Sequence, residues 1–354
     1  MNNELTSHRE RIVWIDFAKV IGFLLVVIGH MIITENWVDS LGRGIIFSFH
    51  MPLFFMLSFI TTSLSDSFVA LKRKTIKRAY HLLIPFIIVI FIHALFLIFY
   101  EHKDISTFDF WRTFIINKLL GFEGEGYASA GSAWFFFAIF ISQTLFDLLH
   151  LLLKRDSLLF VISIIFTVLG VIIGYLKVVM PFYLDMVLSS FIFFFIGYKI
   201  RSIDLNKYQI ERFVICFLIW ATTFTFMFVD KIYNSYYEIW LRNYPMFPLS
   251  HICAIAGCMT FIYLCIFTCK IKYLGKWIGY FGQYNIIFII VHTFHQFYFR
   301  TWFNFFPTMG RAFNDFINIL IGLAISLAII IIWKTIQFIM IKIKTKKQLV
   351  DSCS

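Results

Sequence analysis

Long apolar stretches alternate with short polar segments along almost the whole chain. Each stretch is about as long as the roughly 20 helical residues that cross a lipid bilayer. We therefore predict ten membrane-spanning helices, at about residues 12–32, 44–62, 82–100, 133–153, 157–176, 180–199, 213–230, 249–269, 280–299 and 315–341. The predicted fold class is all-α, a polytopic integral membrane helical bundle.

The composition agrees with this pattern. The 354 residues are 60% hydrophobic and 14% charged, and the mean hydropathy is +0.83. Soluble domains are about half apolar and about a quarter charged. No soluble domain of ordinary size fits between the predicted spans, so we treat residues 1–341 as a single membrane domain and residues 342–354 as a short basic tail. The first apolar stretch is too long and too charged for a cleavable signal peptide.

The basic residues predict the orientation of the chain. The net charge is +11. With a cytoplasmic N-terminus, the inner segments carry twenty lysines and arginines and the outer segments nine, while Lys19 and Lys334 lie within spans. Cytoplasmic loops of membrane proteins are enriched in these residues. We therefore place both termini in the cytoplasm and assign the excess basic charge to membrane orientation, with no nucleic acid as a partner.

The first predicted span contains three ionisable residues, Asp16, Lys19 and His30. Such groups are costly within a bilayer unless they have a partner or face water. Helical periodicity places the three on one stripe, with His30 roughly 16 Å beyond Lys19 toward the outer side. The stripe favours an interior face lined by water or substrate, where His30 would be a general base. The structural alternative for His30 is a packing histidine that bonds across the bundle.

A basic cluster separates the second and third predicted spans on the inner side. It contains five cations within seven residues: Lys72, Arg73, Lys74, Lys77 and Arg78. One interpretation is an orientation signal that touches anionic lipid headgroups. The other is a clamp for a phosphorylated cytosolic cofactor, because ammonium and guanidinium groups pair strongly with phosphates.

Further histidines and cysteines are candidates for site residues. His50 lies near the outer end of the second span, at a depth similar to that of His30. His292 and His295 share a helix face, but the spacing indicates no third or fourth metal ligand. Four cysteines between Cys253 and Cys269 lack any zinc spacing. We therefore predict no metal site.

Taken in their order along the chain, these segments resemble the acyltransferase-3 family of integral membrane acyltransferases, most closely its fucose 4-O-acetylase-like branch. Lys19 and His30 match a basic residue, often arginine, and a histidine eleven positions later in the family's first span. The run Met51–Ser58 resembles the second-span signature, with Phe59 in place of the usual glycine. Arg78 matches the first arginine of an RxxR element, and His81 stands at the second.

Three later segments extend the resemblance over essentially the whole chain. Trp134 opens a segment similar to the family's WFL element, and Phe194–Tyr198 is similar to its FFxGY step. His292 matches a histidine near the end of a late span, where Asn285 stands in a place usually held by serine. Each motif is loose, and their joint order makes the resemblance specific.

The resemblance implies an enzyme, a membrane O-acyltransferase. It would move an acyl group, expected to be acetyl, from cytosolic acyl-CoA to a hydroxyl of a cell-surface or secreted bacterial glycan. His30 would act as general base or carry a transient acyl-imidazole. Asp16 and Lys19 would assist it, or form an internal ion pair. Coenzyme A phosphates would be held by the cations Arg73, Lys74, Lys77 and Arg78.

The resemblance also implies an acceptor site and a set of partners. Acceptor-binding candidates are His50, Glu123, Glu125, Trp134 and His292. No permanently bound cofactor is expected, since acetyl-CoA or another acyl-CoA is a donor substrate. The expected partners are the carbohydrate acceptor, the lipid bilayer and glycan-synthesis machinery. The expected location is the bacterial plasma membrane, as a multi-pass protein.

Two alternatives belong to other functional classes. The protein could export a polysaccharide or lipid-linked sugar without acyltransferase activity. Many transporters have broken helices at equivalent places in two halves, and the apolar pattern predicts no such pair. A purely structural partner of a glycan synthase would tolerate the loss of every ionisable group within the membrane.

Overall fold

The computed structural model describes residues 12–31, 37–99, 102, 104, 106–121, 133–229, 237–271, 273–294 and 311–353, and these are predominantly helical. The helices are α1 Val13–Met31, α2 Trp37–Phe47, α3 His50–Thr61, α4 Phe68–Phe99, α5 Phe108–Trp111, α6 Trp134–Leu153, α7 Asp156–Tyr175, α8 Leu184–Ser189, α9 Phe191–Ile200, α10 Gln209–Val229, α11 Leu249–Cys269, α12 Leu274–Gly282, α13 Asn285–Phe294 and α14 Arg311–Cys353. A π-helix, Arg112–Leu119, follows α5, and a 3₁₀ turn, Pro181–Tyr183, precedes α8.

The described helices confirm the predicted fold class. Eight helical segments are long and apolar enough to cross a membrane, and a bent pair, Pro181–Ser189 with Phe191–Ile200, makes nine if it is one span. Within the described ranges, β pairing consists of one antiparallel bridge, between Glu238 and Asn243. The protein is therefore a polytopic helical membrane protein.

Two predicted spans are interrupted in the structure. The span predicted at 180–199 bends by 61° between α8 and α9. The span predicted at 280–299 begins within α12 and continues as α13, with a break at Gln283 and Tyr284, and residues 295–299 lie outside the described part. At the first break Gly170 of α7 lies so close to the backbone of Ser189 that a Cβ atom would collide with it. Averaged hydropathy does not reveal such short interruptions.

The helix α4 begins much earlier than the predicted third span. It starts at Phe68 and continues for 32 residues, through the basic cluster and past Pro85. Lysine and arginine are good helix formers, and the bilayer limits only the apolar part of the helix. The basic cluster is thus the first part of a long helix rather than a loop.

The chain divides into two compact units. The first unit contains Met1–Lys74, Ile141–Val179 and Leu184–Gln283. The second contains Thr75–Phe140, Met180–Tyr183 and Tyr284–Ser354. The helix α14 continues through the predicted tail to Cys353. The assignment of residues 1–341 to a single domain stays a prediction.

The first unit packs its helices closely through glycines. Gly22 of α1 faces Leu53 and Phe54 of α3, and Gly197 of α9 faces the backbone of Met56 in α3. Gly282 of α12 lies against the backbone of Asp16 in α1. In a membrane, such close approach supplies the van der Waals contact that helix association needs. The α1 stripe is therefore held from two sides.

The second unit has an aromatic core. Phe137 of α6 lies 5.4 Å from Phe86 of α4 and 5.9 Å from Phe182, between ring centroids. Tyr183 is fully buried, and its ring leaves room only for a glycine at position 121, which has a φ of +73°. These contacts fix the end of the π-helix.

Candidate active site

The helix α1 carries all three residues of the predicted stripe. Its 19 residues form one continuous helix, because the run is apolar and lacks proline. The Lys19 Nζ atom lies 3.3 Å from Asp16 Oδ1, with the two side chains 25% and 9% exposed. The internal ion pair considered from the sequence is therefore present, at the N-terminal end of the helix.

A cavity of about 780 Å³ opens beside this ion pair. Four helix ends form it, and all four belong to segments that the charge distribution predicts on the inner side. The described lining residues are Ile12, Ile15, Asp16, Lys19, Ile60, Thr61, Asp156, Tyr198, Lys199, Arg201 and Ser202. The prediction was that successive spans cross the membrane in opposite directions. Because those four ends meet in one place, the structure agrees with this prediction for these spans. Which side is cytoplasmic remains the prediction from charge.

Among its described lining residues, the cavity has one more cation than carboxylates. Lys199 Nζ donates to Asp156 Oδ2 at 2.8 Å, and the Tyr198 hydroxyl donates to Asp156 Oδ1 at 3.0 Å. Arg201 Nη1 donates to the carbonyl oxygen of Thr62 at 2.6 Å. Asp156, Lys199 and Arg201 were not identified from the sequence, although Lys199 and Arg201 come directly after the Phe194–Tyr198 step. The available signal for a site was a tyrosine and two cations, Lys199 and Arg201, around the C-terminal end of α9.

The predicted phosphate clamp is not gathered at this cavity. Lys74 Nζ donates to the carbonyl oxygens of Leu64 at 2.5 Å and Ser63 at 3.4 Å. Arg73 is exposed on α4, and neither Arg73 nor Lys74 belongs to the described lining. Lys77 and Arg78 belong to the second unit. The contacts of Lys74 assign it a structural task in the loop between α3 and α4.

The same loop is held by a buried carboxylate. Asp147 of α6 is 0% exposed. It accepts from the backbone N–H of Ser65 at 2.6 Å and from the Ser65 hydroxyl at 2.9 Å. Together with the bonds from Lys74 and Arg201, these contacts fix the end of α3, which lines the cavity.

The other end of α1 places His30 against a histidine and a phenylalanine. Ring centroids of His30 and His50 lie 6.4 Å apart at 88°, and His30 lies 5.6 Å from Phe47. His50 Nδ1 lies 3.1 Å from the carbonyl oxygen of Ile46. Since a carbonyl only accepts, Nδ1 carries the proton and Nε2 of the neutral ring keeps a lone pair. The two histidine rings therefore lie next to each other, and their depth in the membrane stays a prediction.

Two further charged residues, Arg43 and Glu238, were not candidates from the sequence. The Arg43 guanidinium lies 4.5 Å from the Phe47 ring centroid, and it interacts electrostatically with Glu238. Burial raises the pKa of Glu238, and the positive charge of Arg43 opposes that shift. Arg43 is one of the nine basic residues that lie in the predicted outer segments. An electrostatic interaction between such distant segments cannot be predicted from either segment alone.

The remaining predicted residues lie elsewhere in the chain. Trp134 is buried in the second unit, with its ring 6.4 Å from Tyr183. His292 of α13 is buried in the same unit. Glu123, Glu125 and His295 lie outside the described residues. Among the residues that are described, no three histidine, cysteine, aspartate or glutamate side chains form a group that could hold a metal ion.

A family model described as an acyltransferase domain, acyltransferase-3, matches residues 12–333. The chain therefore belongs to the acyltransferase-3 family, and with its apolar helices it is a multi-pass membrane acyltransferase. A search of curated proteins and a search of solved structures find nothing that matches the chain. The nearer resemblance to the fucose 4-O-acetylase-like branch stays a prediction.

Proposed function

We propose that this protein lies in the bacterial plasma membrane and moves an acetyl group from cytosolic acetyl-CoA to a glycan. The acceptor would be a hydroxyl of a cell-surface or secreted glycan. The observation that carries the proposal is the arrangement along α1. One end of this single helix lines a charged cavity with Asp16 and Lys19. The other end presents His30 beside His50. A donor and an acceptor can thus approach one helix from opposite ends.

The cavity suits the donor in size and charge. Its volume of about 780 Å³ falls in the range of about 300–1,000 Å³ that is usual for small-molecule sites. Lys19, Lys199 and Arg201 supply cations for phosphate groups. Arg73, Lys77 and Arg78 of α4 remain in the proposal as further residues that bind phosphate. Lys74 instead holds the loop between α3 and α4.

His30 supplies the chemistry in this proposal. It takes the proton of the acceptor hydroxyl while that oxygen attacks the thioester carbonyl. The new oxygen–carbon bond forms, the carbon–sulfur bond breaks, and the thiolate of coenzyme A ends with the proton. In the two-step variant His30 first carries the acetyl group itself. The fixed tautomer of His50 offers a neighbouring acceptor atom that can orient the His30 ring.

Acceptor binding is assigned to the outer side in the same proposal. His50 lies beside His30, and Trp134, His292, Glu123 and Glu125 remain proposed acceptor ligands. Glycan-synthesis machinery is the proposed source of the acceptor. None of these groups requires a permanently bound cofactor.

The test compares glycan O-acetylation in cells that carry wild-type protein, His30→Ala or His102→Ala. Both variant proteins must reach wild-type levels on immunoblots. His102 is exposed and serves as the matched control. We expect His30→Ala to lower base-released acetate by about 10²-fold or more, with the control unchanged.

Two results would contradict the proposal. Unchanged acetylation with His30→Ala, in a strain without a redundant enzyme, would remove His30 from the reaction. Glycan export by purified protein in vesicles, without any dependence on acetyl-CoA, would favour the exporter instead.

A further inference from the structure

Among the described residues that line the charged cavity, Lys199 and Asp156 form the more exposed of two ion pairs. Asp156 is the first residue of α7, and Lys199 lies in the last turn of α9. Lys199 Nζ lies 2.8 Å from Asp156 Oδ2, with the two side chains 40% and 47% exposed. A solute that enters the cavity can therefore reach both charges.

The three cations described in the cavity lining are held to different degrees. Lys19 pairs with Asp16, whose side chain is only 9% exposed, and a buried charge resists the loss of a partner. Arg201 donates to the carbonyl oxygen of Thr62 and so helps to hold the loop after α3. Exposed ion pairs add little stability, because water competes for both charges. Lys199 is therefore the cation that can change its partner at the lowest cost.

Asp156 has a second partner besides Lys199. The Tyr198 hydroxyl donates to Asp156 Oδ1 at 3.0 Å. The Tyr198 ring is itself packed against α6, with its centroid 5.7 Å from that of Phe146 and 5.6 Å from that of His150. The helix dipole also favours a carboxylate in the first turn of a helix. Asp156 can thus stay in place while the lysine turns toward another anion.

We propose that Lys199 exchanges Asp156 for a phosphate group of the acyl donor, so that Asp156 limits the affinity of the cavity for that donor. The inference rests on the proposed function, in which the donor is a thioester of coenzyme A. A phosphate monoester carries up to two negative charges and three strong acceptor oxygens, so it attracts an ammonium group more strongly than a carboxylate does. The Asp156 carboxylate opposes donor binding in two ways, since it competes for Lys199 and repels the phosphate.

The exchange has a consequence for turnover. Coenzyme A keeps the phosphates of the donor after the acyl group has left, so tight binding of the phosphates would also hold the product. A carboxylate that takes Lys199 back favours the release of coenzyme A. Product release limits the rate of many enzymes, and Asp156 is in this proposal the residue that assists it.

The experiment measures the affinity of coenzyme A for the purified full-length protein in phosphatidylcholine nanodiscs by isothermal titration calorimetry. Asp156→Asn should lower the Kd about two- to fivefold, since it removes the competition of an exposed ion pair. Lys199→Met should raise the Kd about tenfold, the effect of losing one hydrogen bond between charged groups. The control Asp109→Asn removes the same charge from another exposed ion pair, in which Asp109 is 86% exposed, and it should leave the Kd unchanged.

The double variant separates exchange from simple repulsion. With Lys199→Met already present, Asp156→Asn should lower the Kd clearly less than it does alone, because no lysine is left to compete for. An equal decrease in both backgrounds would mean that Asp156 only repels the phosphates, and the exchange would be refuted. A gain of affinity in Asp156→Asn also cannot come from misfolding.

The other outcomes keep the exchange and the proposed function apart. If the wild-type protein binds coenzyme A and neither Asp156→Asn nor Lys199→Met changes the Kd, the exchange is wrong and the proposed function stands. An unchanged Kd together with more phosphatidylglycerol co-purifying with Asp156→Asn than with wild type would assign Lys199 to a lipid headgroup and overturn the exchange with the donor. If the Kd shifts as expected but cells show no glycan acetylation by this protein, the proposed acceptor fails and the exchange stands. If the wild-type protein does not bind coenzyme A, the proposed donor and the exchange fall together.

Discussion

At the scale of single residues, the Asp16–Lys19 pair has two possible roles, one structural and one in the donor site. An experiment can separate them. The pair is internal to α1, with an Nζ–Oδ1 distance of 3.3 Å, and it also lines the cavity. As a purely structural pair it would only offset the cost of two charges in an apolar helix. As part of the donor site, Lys19 would also face a phosphate or the thioester.

A double-mutant comparison distinguishes these roles. Lys19→Met removes this partner of the buried Asp16 and should lower the yield of folded protein several-fold, because the loss of one partner of a buried ion pair is costly. Asp16→Asn with Lys19→Met removes both charges, so the yield should recover. We expect acetyl transfer to stay at least about tenfold below wild type in the double variant, since the cavity has lost a cation. Chromatographic yield and transfer rate are the measurements. Full recovery of the rate would show that the pair is only structural.

At the scale of helices, contacts between α1 and α12 position Asp16. Gly282 lies against the Asp16 backbone so closely that a Cβ atom would overlap the carbonyl group, whereas a Cβ atom on Gly279 would lie 3.3 Å from Val13. The two glycines belong to the same helix and face the same partner helix. They form a matched pair for a packing test.

Gly282→Ala should destabilise the protein and slow transfer, and Gly279→Ala should do clearly less of both, because its Cβ atom would meet its nearest neighbours at 3.3 Å. Overpacking a tight contact costs about 1–3 kcal/mol, and here the shift would displace the end of α1 that lines the cavity. Thermal unfolding in detergent and the rate of acetyl transfer measure the two effects. Equal behaviour of the two variants would show that this contact does not control the placement of Asp16.

The helices also show which features of the fold can be predicted from the sequence and which cannot. Long apolar runs such as α1 and α11 were predicted almost to the residue, because a bilayer imposes one length on every span. The start of α4 at Phe68 was not predicted, since helical propensity continues into water while hydropathy does not. The break between α8 and α9 depends on the close approach of Gly170 to Ser189. That approach is a tertiary contact with no local signal.

At the scale of the whole molecule, half of the candidate site followed from the sequence. Asp16, Lys19 and His30 could be placed together because they lie on one helix and its period is known. Lys199 and Asp156 reach the cavity at one end of that helix from distant segments. Such meetings depend on how helices pack, which one sequence does not reveal. The orientation rests on the loop charges.

Cysteine labelling in intact cells tests the orientation and the region around α12 and α13 together. In a background without the native cysteines, Asp104→Cys and Arg311→Cys should react with a membrane-impermeant maleimide in intact cells. Lys276→Cys and a restored Cys353 should react only after permeabilisation, because charge places them in the cytoplasm.

If α12 and α13 instead form a re-entrant pair, Arg311→Cys would behave like Lys276→Cys. Cys353 would then react in intact cells, since α14 would cross in the opposite direction. Reversal of all four positions would invert the predicted orientation and place the charged cavity on the outer side, away from any cytosolic donor.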